Sequence, residues 1–417
     1  MRLLLSRIGT VIGKYGFWGV IGKTAALFFA DLCAFLPPAV LLHPMRTRRE
    51  VRSMLASDCD RILLWRSSFG FQAALYQRPQ QMARQLARQR CLVLYEASPL
   101  RDRVRSMRLL EPGLLLVNLR CVPLRRMLLY ELDRNDRPKI LQLYSTNREC
   151  SLRELRSFLR RGWRVLYEYV DHLSPVISGT AKLPKNVKDK FDYVMAHPEI
   201  PVAATAELLR QDVLRRRGTE NLFLVGNGVD YSFFRIRESF RFEPGFQKLL
   251  DKGKPIVCYY GALAEWLDYA LLRLIAADGR WTLVLIGVKY DASCERELRG
   301  VPGVALLGPR DYSVLKYYAA AADLLILPFR INELTRATNP VKLYEYMALH
   351  KPIVSTDVDE CRRWRSVLTA RTHEDFLRQM EKAMALRRDP AYLALEDREA
   401  RENDWSKKSK QLLEAMP

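Results

Sequence analysis

Residues 339–356, NPVKLYEYMALHKPIVST, read as one helix followed by one strand. Asn339 before Pro340 predicts an N-cap and a first helical residue, because proline has no amide hydrogen to leave unsatisfied there. The first turn of a helix carries partial positive charge and usually recruits Asp or Glu. Here it holds Lys342, with Glu345 one turn further on the same face. A cation at the positive end of a helix calls for an anion. A phosphate at the helix mouth would take free backbone amides and the Lys342 ammonium. The Glu345 carboxylate, with its several lone pairs, would accept from two sugar hydroxyls. Together these suit a nucleoside diphosphate. Without a ligand they are a surface Lys–Glu pair worth about 0.2–0.5 kcal/mol.

Working outward, this helix lies between two apolar runs, DLLILPF (323–329) and PIVST (352–356). They continue a series that begins with PIVCYYG (255–261), WTLVLIG (281–287) and GVALLG (303–308). An earlier series comprises RILLW (61–65), CLVLYE (91–96), GLLLVN (113–118), KILQLY (139–144), WRVLYEYV (163–170), FDYVMA (191–196), PVAAT (201–205) and LFLV (222–225). Amphipathic stretches such as PQQMARQLARQ separate several of them. Short apolar runs alternating with helices indicate parallel sheets covered on both faces. The fold class is α/β: two Rossmann-like domains facing across a cleft, with ligands at the carboxyl ends of the strands. The polar stretch 235–254 is the expected connection between them, and the charged tail 373–417 is expected to be helical.

Candidate chemistry should therefore follow strands. After PIVCYY come Gly261 and Ala262, where a glycine permits close approach of backbone to a phosphate. After RILLW come Arg66, Ser67, Ser68, Phe69 and Gly70, then Arg78, which either line the cleft or form an ordinary loop and helix start. WRVLYEYVDH ends with Glu168, Asp171 and His172, where a carboxylate would orient an acceptor hydroxyl or simply cap a helix. Arg330 and Arg336 add charge after DLLILPF.

The 417 residues include 68 Lys plus Arg against 47 Asp plus Glu, a formal charge of +21. An anionic partner follows: nucleic acid, acidic lipid or a phosphorylated substrate. The basic residues are spread over helices, not arranged in stripes with stacking aromatics, so no nucleic acid is expected. Eight scattered cysteines and five dispersed histidines form no paired spacing, which points to a reducing, cytoplasmic compartment and no structural zinc. Residues 1–45 are apolar and aromatic-rich, with Arg2, Arg7, Lys14 and Lys23 interspersed. Asp31 in the middle of the longest apolar run would cost about 2.5–3.5 kcal/mol in a bilayer, and Pro37-Pro38 would break a helix. The segment fits one lying in an anionic membrane interface on the inner face of the plasma membrane. Packing on the body and a true span remain the alternatives.

On NGVDYSFF (227–234), YYGALAEWLDYALL (259–272), WTLVLIG, LLILPF and NPVKLYEYMALHKPIVST, taken in order, the carboxyl-terminal half resembles the GT-B glycosyltransferases of the group 1, GT4-like retaining type. YQRPQQMARQLA (76–87) and YEYVDHLSP (167–175) resemble the matching segments of the amino-terminal domain. The resemblance implies sugar transfer from a nucleotide-sugar donor to a glycan or lipid-linked acceptor in bacterial polysaccharide synthesis, with no cofactor and no metal. It implies that Glu345 holds the donor ribose, that Asn339, Pro340 and Lys342 face the diphosphate, and that Gly261 and Ala262 approach the phosphates through their amides. It makes a protein base dispensable, since the departing phosphate helps to deprotonate the acceptor. Residues 1–55, expected to associate with a membrane, have no counterpart in the resemblance, and the rest divides into an acceptor domain (56–236), a nucleotide-sugar domain (250–398) and a terminal helix (399–417) expected to return to the acceptor domain. Two departures stand out. The first of the family's paired glutamates is replaced by Ala337, and no Arg or Lys follows the glycine turn. Lys342, Arg330 and Arg336 are then the candidate diphosphate clamp. These departures also motivate the alternative of an inactive GT-B-like scaffolding subunit.

Overall fold

The computed structural model describes residues 38–67, 69–72, 76–98, 102–173, 183–236 and 238–416. Most of the apolar amino-terminal segment, and Ser68, therefore lie outside the described residues. The chain divides into two compact units. One holds the described residues up to 72 together with Ala87–Lys139, and the other holds 76–86 and everything from Ile140 onward.

In the first unit, strands β1 (Arg61–Arg66), β2 (Cys91–Glu96), β3 (Met107–Glu111) and β4 (Leu114–Val117) lie in the order β3-β4-β2-β1. All pairings are parallel except β3 on β4. Strands β2 and β4 are buried along their whole length, which is why they read as unbroken apolar runs. Strand β3, half-exposed at the edge, has no such run and went unforeseen. Helices Pro44–Leu55 and Val122–Asp133 are tied by Arg48 and Arg52, which donate to the buried Glu131 carboxylate at 2.6 and 3.0 Å. Together with burial of Thr47, Val51 and Leu55, this leaves Leu41, Leu42 and Met45 exposed.

In the second unit, β5 (Lys139–Tyr144), β6 (Arg164–Tyr169), β7 (Val202–Ala204) and β8 (Leu222–Leu224) pair in parallel in sequence order. A separate parallel sheet contains β9 (Ile256–Tyr260), β10 (Thr282–Ile286), β11 (Val304–Gly308), β12 (Leu324–Leu327), β13 (Ile353–Thr356) and β14 (Val367–Ala370). Its order is β11-β10-β9-β12-β13-β14. The order reverses between β10 and β12, on either side of β9, and such a reversal opens a crevice at the carboxyl ends of the strands.

The expected strand at 191–196 is instead the end of helix Lys185–Met195. Val187, Lys190, Phe191 and Val194 are its buried positions, a helical spacing that the polar 183–190 conceals. The 235–254 connection is more than a polar linker. It contains helix Pro244–Asp251, whose Phe246 is fully buried against Tyr318 with ring centroids 5.0 Å apart. The tail forms three helices, His373–Leu386, Pro390–Glu402 and Trp405–Glu414, as expected. It returns to the NGVD segment, where Trp405 N donates to Val229 O and Val229 N to Asn403 O, both at 2.9 Å. Among the described residues no helix is long and apolar enough to cross a membrane. The seven described cysteines are free.

Candidate active site

Strand β9 ends in Tyr259 and Tyr260, and the chain then turns at Gly261 with φ +145°. A Cβ on Gly261 would lie 2.9 Å from Lys342 Cε and 2.9 Å from the Tyr259 hydroxyl, so only a glycine admits this approach. Gly287, after β10, is tighter still. At φ +150°, its Cβ would fall 1.8 Å from the Gly261 carbonyl oxygen. Gly261 N in turn donates to Ile286 O at 2.8 Å. Gly287→Ala is therefore expected to displace the turn, costing about 1–3 kcal/mol. Urea titration measures that cost, and nucleotide binding should be lost with it.

Lys342 lies in the first turn of helix Val341–Ala348. The cap position is occupied by Pro340, φ −73° and ψ 119°, which supplies no side-chain acceptor, and the first turn contains no acidic residue. Pro340 is thus the cap, and Asn339 is not. The Asn339 side chain is used elsewhere: its Nδ2 donates to Thr205 O at 2.8 Å, while the Asn339 backbone carbonyl accepts from Asn227 Nδ2 at 2.6 Å. Asn339 pins the NGVD segment and the end of β7 to the helix, leaving the helix mouth uncapped. The Lys342 ammonium makes no hydrogen bond or ion pair among the described residues. It sits 5.5 Å from the centroids of both the Tyr259 and Phe329 rings. Loss of solvent lowers its pKa, and Glu345 opposes that shift only in part.

Glu345 is buried at 3% exposure and holds two phenols. Tyr260 donates to Oε2 at 2.6 Å and Tyr312 to Oε1 at 3.0 Å. Burial raises the carboxyl pKa, and these hydrogen bonds restrain the rise. Tyr312 in turn accepts from Gln81 Nε2 at 3.1 Å and stacks on Phe233 at 5.1 Å. Gly261, Ala262, Lys342 and Glu345 are thus brought together, with the Ala262 carbonyl accepting from the Tyr259 hydroxyl at 3.3 Å. Arg330 is exposed and lines a groove with Glu265, Trp266, Asn332 and Leu334. Arg336 pairs with Asp359 at 2.9 Å. The tyrosines were missed as site residues because the sequence reading counted them among the apolar strand ends. Two consecutive tyrosines directly before a glycine turn were the available signal.

Of the remaining candidates, Glu168 is fully buried. It accepts from Arg78 Nε at 2.8 Å and from Gln142 Nε2, while Arg78 Nη1 donates to Gly226 O at 2.8 Å. This is a strut between β6, helix Arg78–Arg88 and the NGVD segment. Phe69 and Gly70 belong to the first unit, where the Phe69 carbonyl accepts from the Tyr95 hydroxyl at 2.9 Å. His172 is half-buried, with Nδ1 enclosed and unbonded among the described residues. Asp171, just past β6, has its carboxyl pushed up to about 7 by loss of solvent. Below about pH 4 both folded and unfolded chains keep this proton. Between pH 4 and 7 only the folded chain keeps it, so stability falls with rising pH through that window. Urea midpoints measured across pH should show this slope in the wild type and lose it in Asp171→Asn.

A switch-point crevice holding a glycine turn, an uncapped helix mouth with a lysine, and a buried carboxylate can receive a phosphorylated ligand. Residues 254–385 match the family model for glycosyl transferases group 1. A curated relative, the putative teichuronic acid biosynthesis glycosyltransferase TuaH of Bacillus subtilis, is 24% identical over 261 residues. That match covers 58% of this chain and spans 64% of the relative's length. Among solved structures, sucrose-phosphate synthase from Thermosynechococcus elongatus superposes with TM-score 0.59 at 15% identity, over 85% of this chain and 98% of that one. Anabaena HepE in complex with UDP and glucose gives 0.57 at 15% identity, with the same coverage. At these identities the likeness establishes the fold.

Proposed function

We propose that the protein is a nucleotide-sugar-dependent glycosyltransferase acting on a hydroxyl of a glycan or lipid-linked glycan, with retention and without a metal. The observation that carries this reading is the convergence of Gly261, Lys342 and Glu345 at the β9 switch point. The diphosphate would sit between the Gly261 turn and the mouth of helix Val341–Ala348, with the Lys342 ammonium as its counter-charge. Lys342 has no competing carboxylate ion pair there, so its charge is available to phosphate oxygens as they gain charge on departure. The ribose diol would be received by Glu345. The relative's part in teichuronic acid biosynthesis supports a polysaccharide product, and UDP bound to HepE supports a uridine donor. Exposed Leu41, Leu42 and Met45 beside Arg46 and Arg49 support work at an anionic membrane surface.

The test is a thermal-shift panel of UDP-, GDP- and dTDP-sugars with Glu345→Gln alongside. One nucleotide series should stabilise the wild type, and the variant should lose most of that shift. A folded wild type that responds to none of them would favour the second reading, a non-catalytic GT-B subunit. That reading is supported by Ala337 in place of a glutamate and by the two phenols already on Glu345.

A further inference from the structure

Residues 357–360, DVDE, follow β13 and send their carboxylates in two directions. Asp357 and Asp359 turn to arginines, Asp357 to Arg362 at 3.0 Å and Asp359 to Arg336 at 2.9 Å. Glu360 turns inward and is 3% exposed. Its Oε1 accepts from Glu207 N at 2.6 Å, and Asn339 Nδ2 donates to its Oε2 at 3.5 Å. Arg363 Nη1 lies 3.3 Å from Oε1. Burial raises the Glu360 pKa, and the Glu207 amide and Arg363 oppose the rise.

Glu207 opens helix Glu207–Arg217 just after β7. The cap position there is Ala206, whose methyl group can accept no hydrogen bond. An uncapped helix start leaves amides unsatisfied and carries partial positive charge, and a carboxylate answers both. Here the carboxylate comes from 153 residues further along the chain, past the end of a strand in the other sheet of the second unit. Asn339 meets the same group and also donates to Thr205 O at 2.8 Å, two residues before Glu207. Thr205, Glu207, Asn339 and Glu360 thus form a clasp between the carboxyl end of β7 and the segment leading into helix Val341–Ala348.

We propose that Glu360 is a positioning residue for the donor site. By capping helix Glu207–Arg217 it fixes the Thr205 carbonyl that holds Asn339. Through Asn339 it sets the mouth of helix Val341–Ala348 against the Gly261 turn. The inference rests on the glycosyltransferase reading for its ligand, and Glu360 itself need not touch the donor.

Hydrogen exchange of the full, ligand-free chain tests the clasp, and donor binding tests its use. The amides to follow are Glu207 and Arg210 in one helix and Leu343 to Tyr346 in the other, since Arg210 N bonds Ala206 O and Leu343 N bonds Pro340 O. In Glu360→Ala both sets should exchange about tenfold faster than in the wild type. Glu360→Gln keeps an acceptor for Glu207 N and should recover most of the protection. Faster exchange at Glu207 and Arg210 alone would overturn the proposal by making Glu360 a local cap. The Kd for whichever UDP-, GDP- or dTDP-sugar stabilises the wild type should rise about tenfold in Glu360→Ala, with recovery in Glu360→Gln. Because the effect passes through Asn339, adding Glu360→Ala to Asn339→Ala should weaken binding no further. Additive losses, or wild-type affinity in a folded Glu360→Ala, would overturn the proposal while leaving the donor site in place. A wild type that binds none of these sugars would overturn the glycosyltransferase reading, and the inference with it, whatever the exchange rates show.

Discussion

Arg78→Ala should lower the free energy of unfolding by about 3–5 kcal/mol, the cost of stranding one member of a buried ion pair. Arg78 is 4% exposed and Glu168 is fully enclosed, so removal of the guanidinium leaves a carboxylate whose one remaining side-chain donor among the described residues is the Gln142 amide. The Gly226 carbonyl loses its donor as well. Lysine cannot replace the planar fork that reaches Glu168 and Gly226 together, so Arg78→Lys should recover only part of the loss. The double variant Arg78→Ala/Glu168→Gln should be more stable than Arg78→Ala alone, because the stranded charge is gone. Urea titrations of the wild type, Arg78→Ala, Glu168→Gln and the double variant give the coupling directly. If the double variant is no better than the single one, burial of Glu168 is not what makes Arg78 necessary.

Lys342→Ala should reduce kcat/KM by about 10²–10³, the range for removing one preorganised group that meets developing charge. Its effect on stability should be opposite in character to that of Arg78. Lys342 is half-buried, with its ammonium 5.5 Å from the Tyr259 and Phe329 ring centroids, and among the described residues it has no ion pair to lose. The variant should therefore unfold at the same urea concentration as wild type or slightly higher. Parallel kinetics and denaturation decide the matter: loss of activity with loss of fold would make Lys342 a packing residue.

The sheets were legible because parallel strands buried on both faces leave continuous apolar runs, and β2, β9, β10 and β12 show this plainly. Segments with a solvated side were not legible in that way, hence the missed β3 and the helix misread at 191–196. Gly261, Lys342 and Glu345 were readable from local rules: a glycine after a strand, a cation at the wrong helix end, a carboxylate one turn on. Asn339 was misassigned because a cap rule considers only neighbours in sequence, whereas Thr205 and Asn227 claimed it through tertiary contacts. Tyr312 and Gln81 were invisible for the same reason, and Tyr260 left only the local signal of a tyrosine pair before a glycine turn. Nothing local reveals where a phenol's oxygen will end up.

The two phenols on Glu345 bear on affinity as well as architecture. They are intramolecular occupants of the acceptor lone pairs that a ribose would use, so a ligand gains only the difference between its own hydroxyl contacts and those it exchanges or shares. Tyr312 also accepts from Gln81, a residue of helix Arg78–Arg88 distant in sequence. In the proposed donor site, affinity would thus depend on a side chain that need not touch the nucleotide. On that proposal, sequence change at position 81 would tune donor affinity without altering the groups that meet the donor.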